Sequence, residues 1–501
     1  MRAARRPAMA AVELDDVPEA RPGGDSPPPP STPRTRPRRW WLVVAGVVVL
    51  ALAVAQAVVS ARGRAADARR GEAPGTVLPV ARPLGIAWRP TRGETAVLTT
   101  GVHAGALSIG VLKGRDGSRA VVALDDATGR HVWRRAVSGP DEVRAEAVQG
   151  DLTGRTGSCR GVPSGEPAHD VAAVACLLTD GVVSWDTSDP PLTLRPATHG
   201  ELLLLDARTG AVRAKRDVRP PDAFGVVGDL LVTADVQPDA HAELTATDLT
   251  TGAPRWTWTT PGRLGADASG GNVLFGVRPL GDAVALSGPD GAVTVLTHGG
   301  AMAHGPAGRG AWDVDATGDG VLLPTGVPGA AGSLLVRPGR ADRRLLGRAV
   351  VAQVDDGSLD DLQLTTRPTL RAWDLATGAL LWDAQLAAYR TAVVLGGRAY
   401  VQTFDGIAAV DGRTGRVVWR HAAPPGTSVD APTSDGRALL VVQTPTTPGI
   451  DSALGAYRLG DGVPLWTATL PGGVFRVSPV GRVLVGYTTD GAVVLRAADR
   501  Y

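Results

Sequence analysis

One pattern of nine residues, Asp-x-x-Thr-Gly-x-x-x-Trp, recurs along this chain of 501 residues and strongly constrains its fold. An apolar run of strand length precedes the Asp, and the Thr-Gly pair supplies the chemistry of a turn. Each copy therefore predicts a hairpin that carries a Trp in its second strand. Four copies are complete: Asp125, Gly129 and Trp133; Asp248, Gly252 and Trp256; Asp374, Gly378 and Trp382; Asp411, Gly415 and Trp419. Two eroded copies have Ala214 and Trp466 in the last position.

The spacing of the copies sets the size of the repeating unit. Ala214 lies 42 residues before Trp256, and Trp382 lies 37 residues before Trp419. Repeats of this length that contain only strands are typical of four-stranded propeller blades, which stack around an axis because one blade cannot bury both faces. We predict an all-β propeller of about eight blades, and the eroded region between Trp256 and Trp382 leaves seven or nine open.

The repeat resembles the pyrroloquinoline-quinone-type β-propeller repeat, whose signature is Ala-x-Asp-x-x-Thr-Gly-x-x-x-Trp in the last two strands of a blade. The resemblance is strongest around Trp133, Trp382 and Trp419, and it covers about residues 85–501. Large aromatic side chains are normally core, so we expect the motif tryptophans to pack between blades. Trp-Asp dipeptides are also a feature of WD-repeat propellers, but here they precede a Thr-Gly turn or hold no fixed position, which argues against that interpretation: Trp185, Trp312 and Trp373.

The N-terminal part of the chain differs from the rest. Residues 1–39 are rich in Pro and Arg without an apolar period, which predicts a disordered tail. Residues 40–60 carry no charge and are numerous enough for one transmembrane helix in the lipid bilayer. Residues 61–84 are interpreted as a linker, and residues 85–501 as the propeller. The alternative is cleavage of this apolar run after Ala55, as in a signal peptide.

The orientation of the span is argued from charge and from the two cysteines. Eight arginines against five acids in residues 1–39 favour a cytoplasmic tail. Cys159 and Cys176 are predicted to form a disulfide, which requires an oxidising space around the propeller. We therefore expect a single-pass protein of the cell membrane with an extracytoplasmic propeller. The net charge of +2 gives no sign of nucleic-acid binding.

The sequence contains no strong signature of catalysis. A weak calcium candidate comprises Asp313, Asp315, Thr317 and Asp319, but Pro324 stands where such a loop has a bidentate Glu. Quinoprotein dehydrogenases of the resembling family commonly have adjacent cysteines, whereas Cys159 and Cys176 are 17 residues apart. We predict no catalytic, cofactor or metal site, and we do not expect bound pyrroloquinoline quinone.

The leading interpretation is a membrane-anchored extracytoplasmic propeller that acts as a non-catalytic scaffold for an envelope protein or a small ligand. It would resemble quinone-type repeat proteins that have lost the cofactor, including outer-membrane-assembly lipoproteins of the BamB type, although no lipobox Cys follows the apolar span. The runner-up is a quinone-dependent alcohol or sugar dehydrogenase, and a third alternative is a ligand sensor. We also expect the last strands of the chain to pair with residues 85–89 and so to close the ring.

Overall fold

The computed structural model describes residues 69–114, 116–140, 154–163, 171–184, 192–264, 276–288, 292–307, 313–315, 320–327, 330–447 and 450–497, with residues 44, 47, 48, 50 and 56. The predicted tail 1–39 and nearly all of the predicted span 40–60 lie outside these residues. No helix in the described part has both the length and the apolar character needed to cross a bilayer.

The described residues form nine sheets, which we number as blades 1 to 9 along the chain. Nine blades lie within the predicted range and exceed the leading count of eight by one. The first strand of the propeller is β1 (Leu84–Trp88). It is followed by α1 (Arg92–Thr100), the one helix among the described residues after residue 72. A capping box starts this helix, because Thr91 accepts from the Glu94 amide and Glu94 accepts from the Thr91 amide.

Blades 1 to 3 follow. Blade 1 contains β2 (Val102–Ala104), β3 (Leu107–Lys113), β4 (Arg119–Asp125) and β5 (His131–Ser138). Blade 2 contains β6 (Gly154–Val162), β7 (Ala173–Ser184), β9 (Gly200–Asp206) and β10 (Val212–Val218), and β8 (Leu192–Arg195) pairs with the extended end of β7. Blade 3 contains β11 (Ala223–Val227), β12 (Leu230–Val236), β13 (Ala242–Asp248) and β14 (Pro254–Thr259).

Blades 4 and 5 occupy the stretch where the sequence motif is eroded, and blade 6 carries the complete copy that ends at Trp382. Blade 4 contains β15 (Gly276–Leu280), β16 (Ala283–Ser287), β17 (Val293–Leu296) and β18 (Met302–Ala307). Blade 5 contains β19 (Asp313–Val314), β20 (Val321–Val327), β21 (Ala330–Val336) and β22 (Arg343–Leu346). Blade 6 contains β23 (Arg348–Ala349), β25 (Leu362–Thr366), β26 (Arg371–Asp374) and β27 (Leu380–Asp383), and β24 (Val351–Asp355) lies between its first two strands in sequence.

Blades 7 to 9 complete the ring. Blade 7 contains β24, β28 (Ala388–Leu395), β29 (Arg398–Thr403), β30 (Gly406–Asp411) and β31 (Val417–Ala422). Blade 8 contains β32 (Thr427–Val429), β33 (Thr433–Ser434), β34 (Ala438–Pro445), β35 (Ala453–Arg458) and β36 (Pro464–Thr469). Blade 9 contains β37 (Arg476–Val480), β38 (Val483–Thr488), β39 (Gly491–Ala497) and β1.

Blade 9 confirms the predicted closure of the ring. Its outer strand is β1, which pairs antiparallel with β39 so that Leu84 faces Ala497 and Ile86 faces Leu495. The first and last strands of the domain therefore share one sheet. The edges that an open arc would expose are paired instead.

Alternation along each strand explains why the blades stack. In β4, Ala120, Val122 and Leu124 pack towards blade 9, whereas Val121 and Ala123 pack towards blade 2. Successive side chains of a strand point to opposite faces, so an apolar run is buried on both sides. Across the described residues, each of the nine joints between consecutive blades holds its own buried apolar cluster.

The order of strands defines the axis and two ends of the propeller. First strands of neighbouring blades contact one another, as β2 does β6 and β6 does β11, so they surround the axis. Because strands within a blade alternate in direction, turns between first and second strands lie at one end, which we call end I, together with the motif turns. Turns between second and third strands lie at the opposite end, end II, together with the links from blade to blade.

Two segments tie several blades together at end I. The chain leaves β23 of blade 6, adds β24 to blade 7 in parallel with β28, and returns to β25. Residues 71–80, part of the predicted linker, lie across blades 8 and 9: the Val77 amide donates to the Ser434 carbonyl at 3.0 Å and the Leu78 amide to the Arg482 carbonyl at 2.6 Å. This segment is held by the propeller, and Val77 is buried.

Candidate functional site

The Asp and Thr of the motif turn make the same hydrogen bonds in every complete copy, and blade 7 illustrates the turn. The Asp411 carboxylate accepts from the Thr414 amide at 2.9 Å and from its hydroxyl at 2.8 Å. Gly415 has φ +70°, and a Cβ at that position would stand 2.6 Å from the indole of Trp382 in blade 6. The Trp382 indole N–H donates to the Gly412 carbonyl at 2.9 Å. The glycine is required because the indole lies directly on the turn.

The motif tryptophans therefore connect neighbouring blades, as the sequence led us to expect. In five joints the indole N–H donates to the carbonyl of the residue that follows the motif Asp, or its substitute, in the next blade. Trp88 donates to Asp126, Trp133 to Ala207, Trp256 to His298 and Trp419 to Leu459. Trp466 lies partly buried in the core between blades 8 and 9. Trp88 of β1 makes the same contact, although it does not belong to a copy of the sequence motif.

Three joints have another residue in place of the Trp. In blade 2, Ala214 occupies the Trp register opposite Leu204, and the Arg216 guanidinium instead lies over Gly252 and donates to the Asp248 carbonyl at 3.3 Å. In blade 4 the register position belongs to His304, which faces Val295. In blade 5 it belongs to Arg343, which faces Leu335.

The central channel is lined by first strands, on which arginines predominate. The guanidinium of Arg160 on β6 lies 5.0 Å from the ring centre of Phe224 on β11. Burial and then the positive charge of Arg278 on β15 lower the pKa of Arg160, so these two cations lie near each other. Further arginines lie on β23, β28 and β37: Arg348, Arg390 and Arg476. This lining favours negatively charged groups in the channel.

The two described aspartates of the weak calcium candidate, Asp313 and Asp315, each bind a different arginine. Asp313 binds Arg390 of blade 7, and burial raises the pKa of Asp313 against the opposing effect of that arginine. Asp315 is fully buried and binds the Arg337 side chain at 2.6 Å. Thr317 and Asp319 lie outside the described residues. Among the described residues, no group of three or more His, Cys, Asp or Glu side chains could hold a metal ion.

A buried polar network lies at the joint between blades 9 and 1. The Ser108 hydroxyl donates to Asp126 Oδ1 at 2.6 Å, and His103 Nδ1 lies 3.0 Å from the same hydroxyl. Burial raises the pKa of Asp126 to about 7, although the Ser108 hydrogen bond and the nearby Arg482 amide lower it. Because Ser108 stands between Asp126 and His103, the order differs from a catalytic triad, in which His is the central member. Burial also lowers the pKa of His103.

The acidic run at the end of β24 and just after it comprises Asp355, Asp356, Asp360 and Asp361, and it makes more contacts with the propeller than a solvated loop would. Burial raises the pKa of Asp355 to about 6, with the charges of Asp360 and Asp356 adding to the effect. The Asp356 carboxylate accepts from the Gly396 amide at 2.6 Å, and Asp361 binds Arg413. The run therefore joins blades 6 and 7.

Large apolar side chains are exposed at end II over blades 7, 8 and 9. Tyr389 and Phe404 of blade 7 are 42% and 76% exposed, and their rings lie 5.0 Å apart. Ile450, in the turn between the second and third strands of blade 8, is 60% exposed, and Phe475, in the link to blade 9, is 57% exposed. We call these four residues the end II patch. Sequence reasoning missed it because its members are isolated in the sequence and only the topology brings them to one end.

The two cysteines form the predicted disulfide. Cys159 on β6 and Cys176 on β7 are directly paired across the first two strands of blade 2, and both are buried in the core shared with blade 1. The bond lies within the regular strands of the blade, whereas β8 is an extra strand of this repeat.

The repeat resemblance is confirmed by comparison with known families. Residues 366–499, which include the copies at Trp382, Trp419 and Trp466, match the quinone-type repeat family described as outer membrane protein assembly factor BamB. No curated protein matches the chain in sequence.

Solved structures of several kinds are similar to the chain. BamB from Moraxella catarrhalis has a TM-score of 0.38 at 15% identity, over 82% of this chain and 99% of that one. Quinohemoprotein alcohol dehydrogenase from Comamonas testosteroni has a TM-score of 0.32 at 13% identity, over 83% and 77%. The dihydro-heme d1 dehydrogenase NirN has a TM-score of 0.34 at 16% identity, over 78% of each chain. None of these similarities assigns a function to this chain.

Proposed function

We propose that this protein is a non-catalytic, membrane-anchored scaffold whose extracytoplasmic propeller binds a partner protein through the end II patch. The observation that carries the proposal is the exposure of Tyr389, Phe404, Ile450 and Phe475 on three consecutive blades. Single exposed apolar residues are ordinary, but several aromatic side chains at one end of a domain are typical of an interaction surface.

The surroundings of the patch resemble the rim of an interface. Arg420 binds Asp405 at 2.7 Å beside Phe404, and the guanidinium of Arg476 lies 5.9 Å from the ring centre of Tyr487 near Phe475. Mixed charges around exposed aromatic groups suit a polar rim around an apolar centre. The partner would therefore present its own apolar segment, flanked by charges of both signs. The similarity of residues 366–499 to the family described as an outer membrane assembly factor supports a protein partner in the envelope.

Site-specific photocrosslinking in membranes tests the proposal. A benzophenone amino acid would replace Phe404 or Phe475 in the full-length chain, and matched control positions would be Val132 and Leu465, which are exposed on outer strands. We expect one discrete crosslinked species from positions 404 and 475 and none from the controls. Identical patterns at all four positions, or no product at the patch, would refute the assignment of this surface.

The runner-up, a quinone-dependent dehydrogenase, has one observation in its favour. Arg160 and Arg278 near the axis suit the carboxylates of pyrroloquinoline quinone. The described residues, however, offer no cluster of three or more acidic, His or Cys side chains to hold the accompanying metal ion. The donor set therefore fits the group only in part, and we derive no catalytic step. Turnover of an electron acceptor by the ectodomain that depends on added quinone and calcium would favour this alternative.

A further inference from the structure

The joint between blades 5 and 6 contains a cavity where other joints contain an indole. At the next joint, Trp382 faces Ala372 in the strand register and lies on Gly415 of the following blade. Arg343 has the equivalent register, opposite Leu335, and a Cβ on Gly378 of the following blade would stand 3.0 Å from its Cδ. Arg343 thus stands at the position of the Trp but leaves part of the volume of an indole empty.

The space that remains measures about 310 Å³, within the size range of small-ligand pockets. Arg337, Arg340 and Arg343 supply its polar lining, and Leu335, Leu375 and Ala376 form much of its apolar lining. No acidic side chain is among the described residues that line it. One cavity is therefore lined by three arginine side chains and by apolar side chains.

The charges of this cavity are only partly neutralised. Arg337 is held by the buried carboxylate of Asp315, which fixes the position of its side chain. Arg340 and Arg343 have no acidic partner within 4.0 Å in the described part of the chain. Guanidinium groups bind carboxylate and phosphate through paired N–H donors, and converging arginines are a common arrangement for such anions.

We propose that the joint between blades 5 and 6 binds a small organic anion, with its carboxylate or phosphate on Arg340 and Arg343 and its apolar part on Leu335 and Leu375. The ligand would occupy the volume that an indole takes at other joints. The site lies outside the end II patch, which is formed by blades 7 to 9. A negative result for this site would therefore leave the proposed function unaffected, and the reverse also holds.

Calorimetric titration of the full-length protein tests the site with three probes: phenyl phosphate, benzoate and inorganic phosphate. We expect phenyl phosphate or benzoate to bind more tightly than inorganic phosphate, and the stronger of the two identifies the acid group. Arg340→Gln and Arg343→Gln should each raise the dissociation constant about tenfold, the usual effect of losing one charge-assisted contact. Arg344→Gln is the matched control, because Arg344 is the next residue in β22 and does not line the cavity.

Arg343→Trp provides a second, independent test. It restores the motif residue, so it should fill the cavity and abolish probe binding while the melting temperature stays the same or rises. Equal losses in Arg344→Gln, unchanged binding in folded Arg343→Trp, or the absence of binding by the wild-type protein would overturn the proposal. Inorganic phosphate that binds as tightly as phenyl phosphate would overturn the assignment of an organic ligand. Crosslinking at positions 404 and 475 should be the same in all these variants.

Discussion

The tryptophan of each complete repeat stabilises the following blade rather than its own. Its indole covers a turn glycine and donates to a turn carbonyl one blade further on, as Trp419 does with Gly462 and Leu459. Loss of a buried Trp typically costs about 3 to 5 kcal/mol. At Ala214 the structure compensates through Arg216, two residues later on the same face of the strand. A substitution of the motif Trp therefore changes the packing between two neighbouring blades.

Asp126 gives the joint between blades 9 and 1 a dependence on pH. Its pKa in the folded protein is about 7, whereas the ordinary value is 3.8. Between these values the unfolded chain is ionised while the folded protein keeps its proton, so this group makes stability fall as pH rises from about 4 to about 7. The charged and titratable groups near the Asp126 carboxyl are His103, Asp125 and Arg482. Above pH 7 its contribution should be constant.

We predict that Asp126→Asn removes this part of the pH dependence. The Asn side chain can still accept from Ser108 and carries no charge to bury, so the variant should gain stability relative to the wild type as pH rises from 5 to 8. Chemical denaturation at several pH values measures the difference, and Asp461→Asn, at an exposed carboxylate, is the control. A constant difference between Asp126→Asn and the wild type across this range would contradict the prediction.

The motif-bearing strands of blades 1, 3, 6, 7 and 8 were largely predictable, because each combines an apolar run with the complete or nearly complete turn motif. Blades 4 and 5 were not individually predictable. Thr297 and Arg337 stand where the motif has Asp, and His304 and Arg343 stand where it has Trp. The parallel strand β24 was also missed, since nothing local in Val351–Asp355 indicates that it pairs with the next blade. Long-range pairing is decided by tertiary packing, which periodicity does not report.

Ring closure through β1 is an element whose removal should weaken the whole domain. Deleting residues 85–90 removes the outer strand of blade 9 and the Trp88 indole that donates to the Asp126 carbonyl. We expect the melting temperature of the propeller to fall by about 10 °C, because several kcal/mol of packing is lost. Deletion of residues 19–24 in the tail is the length-matched control. A deletion variant that melts like the wild type would show that β1 is dispensable for closure.

As a whole, the propeller depends on its joints, because each blade has one face against each neighbour. Nine of the ten buried clusters of the described residues are distributed one to a joint, and the small tenth cluster lies between blades 6 and 7. Stability is therefore shared around the ring rather than concentrated in one core. Sequence reasoning reached this architecture through the motif, but the patch and the cavity arise only from the assembled ring. Residues that meet at one end or one joint are far apart in sequence, and their types are not distinctive.

The orientation of the whole molecule is the last prediction, and its reporter is the disulfide of blade 2. Disulfides persist in oxidising compartments, so Cys159 and Cys176 should remain paired in cells if the propeller is extracytoplasmic. In intact cells, an impermeant maleimide should label Thr446→Cys, at an exposed turn of blade 8, in the full-length chain. The same reagent should label Ser26→Cys in the tail only after permeabilisation. The opposite orientation would be shown by two results together: free thiols at Cys159 and Cys176 after rapid alkylation, and labelling of Ser26→Cys from outside the cell.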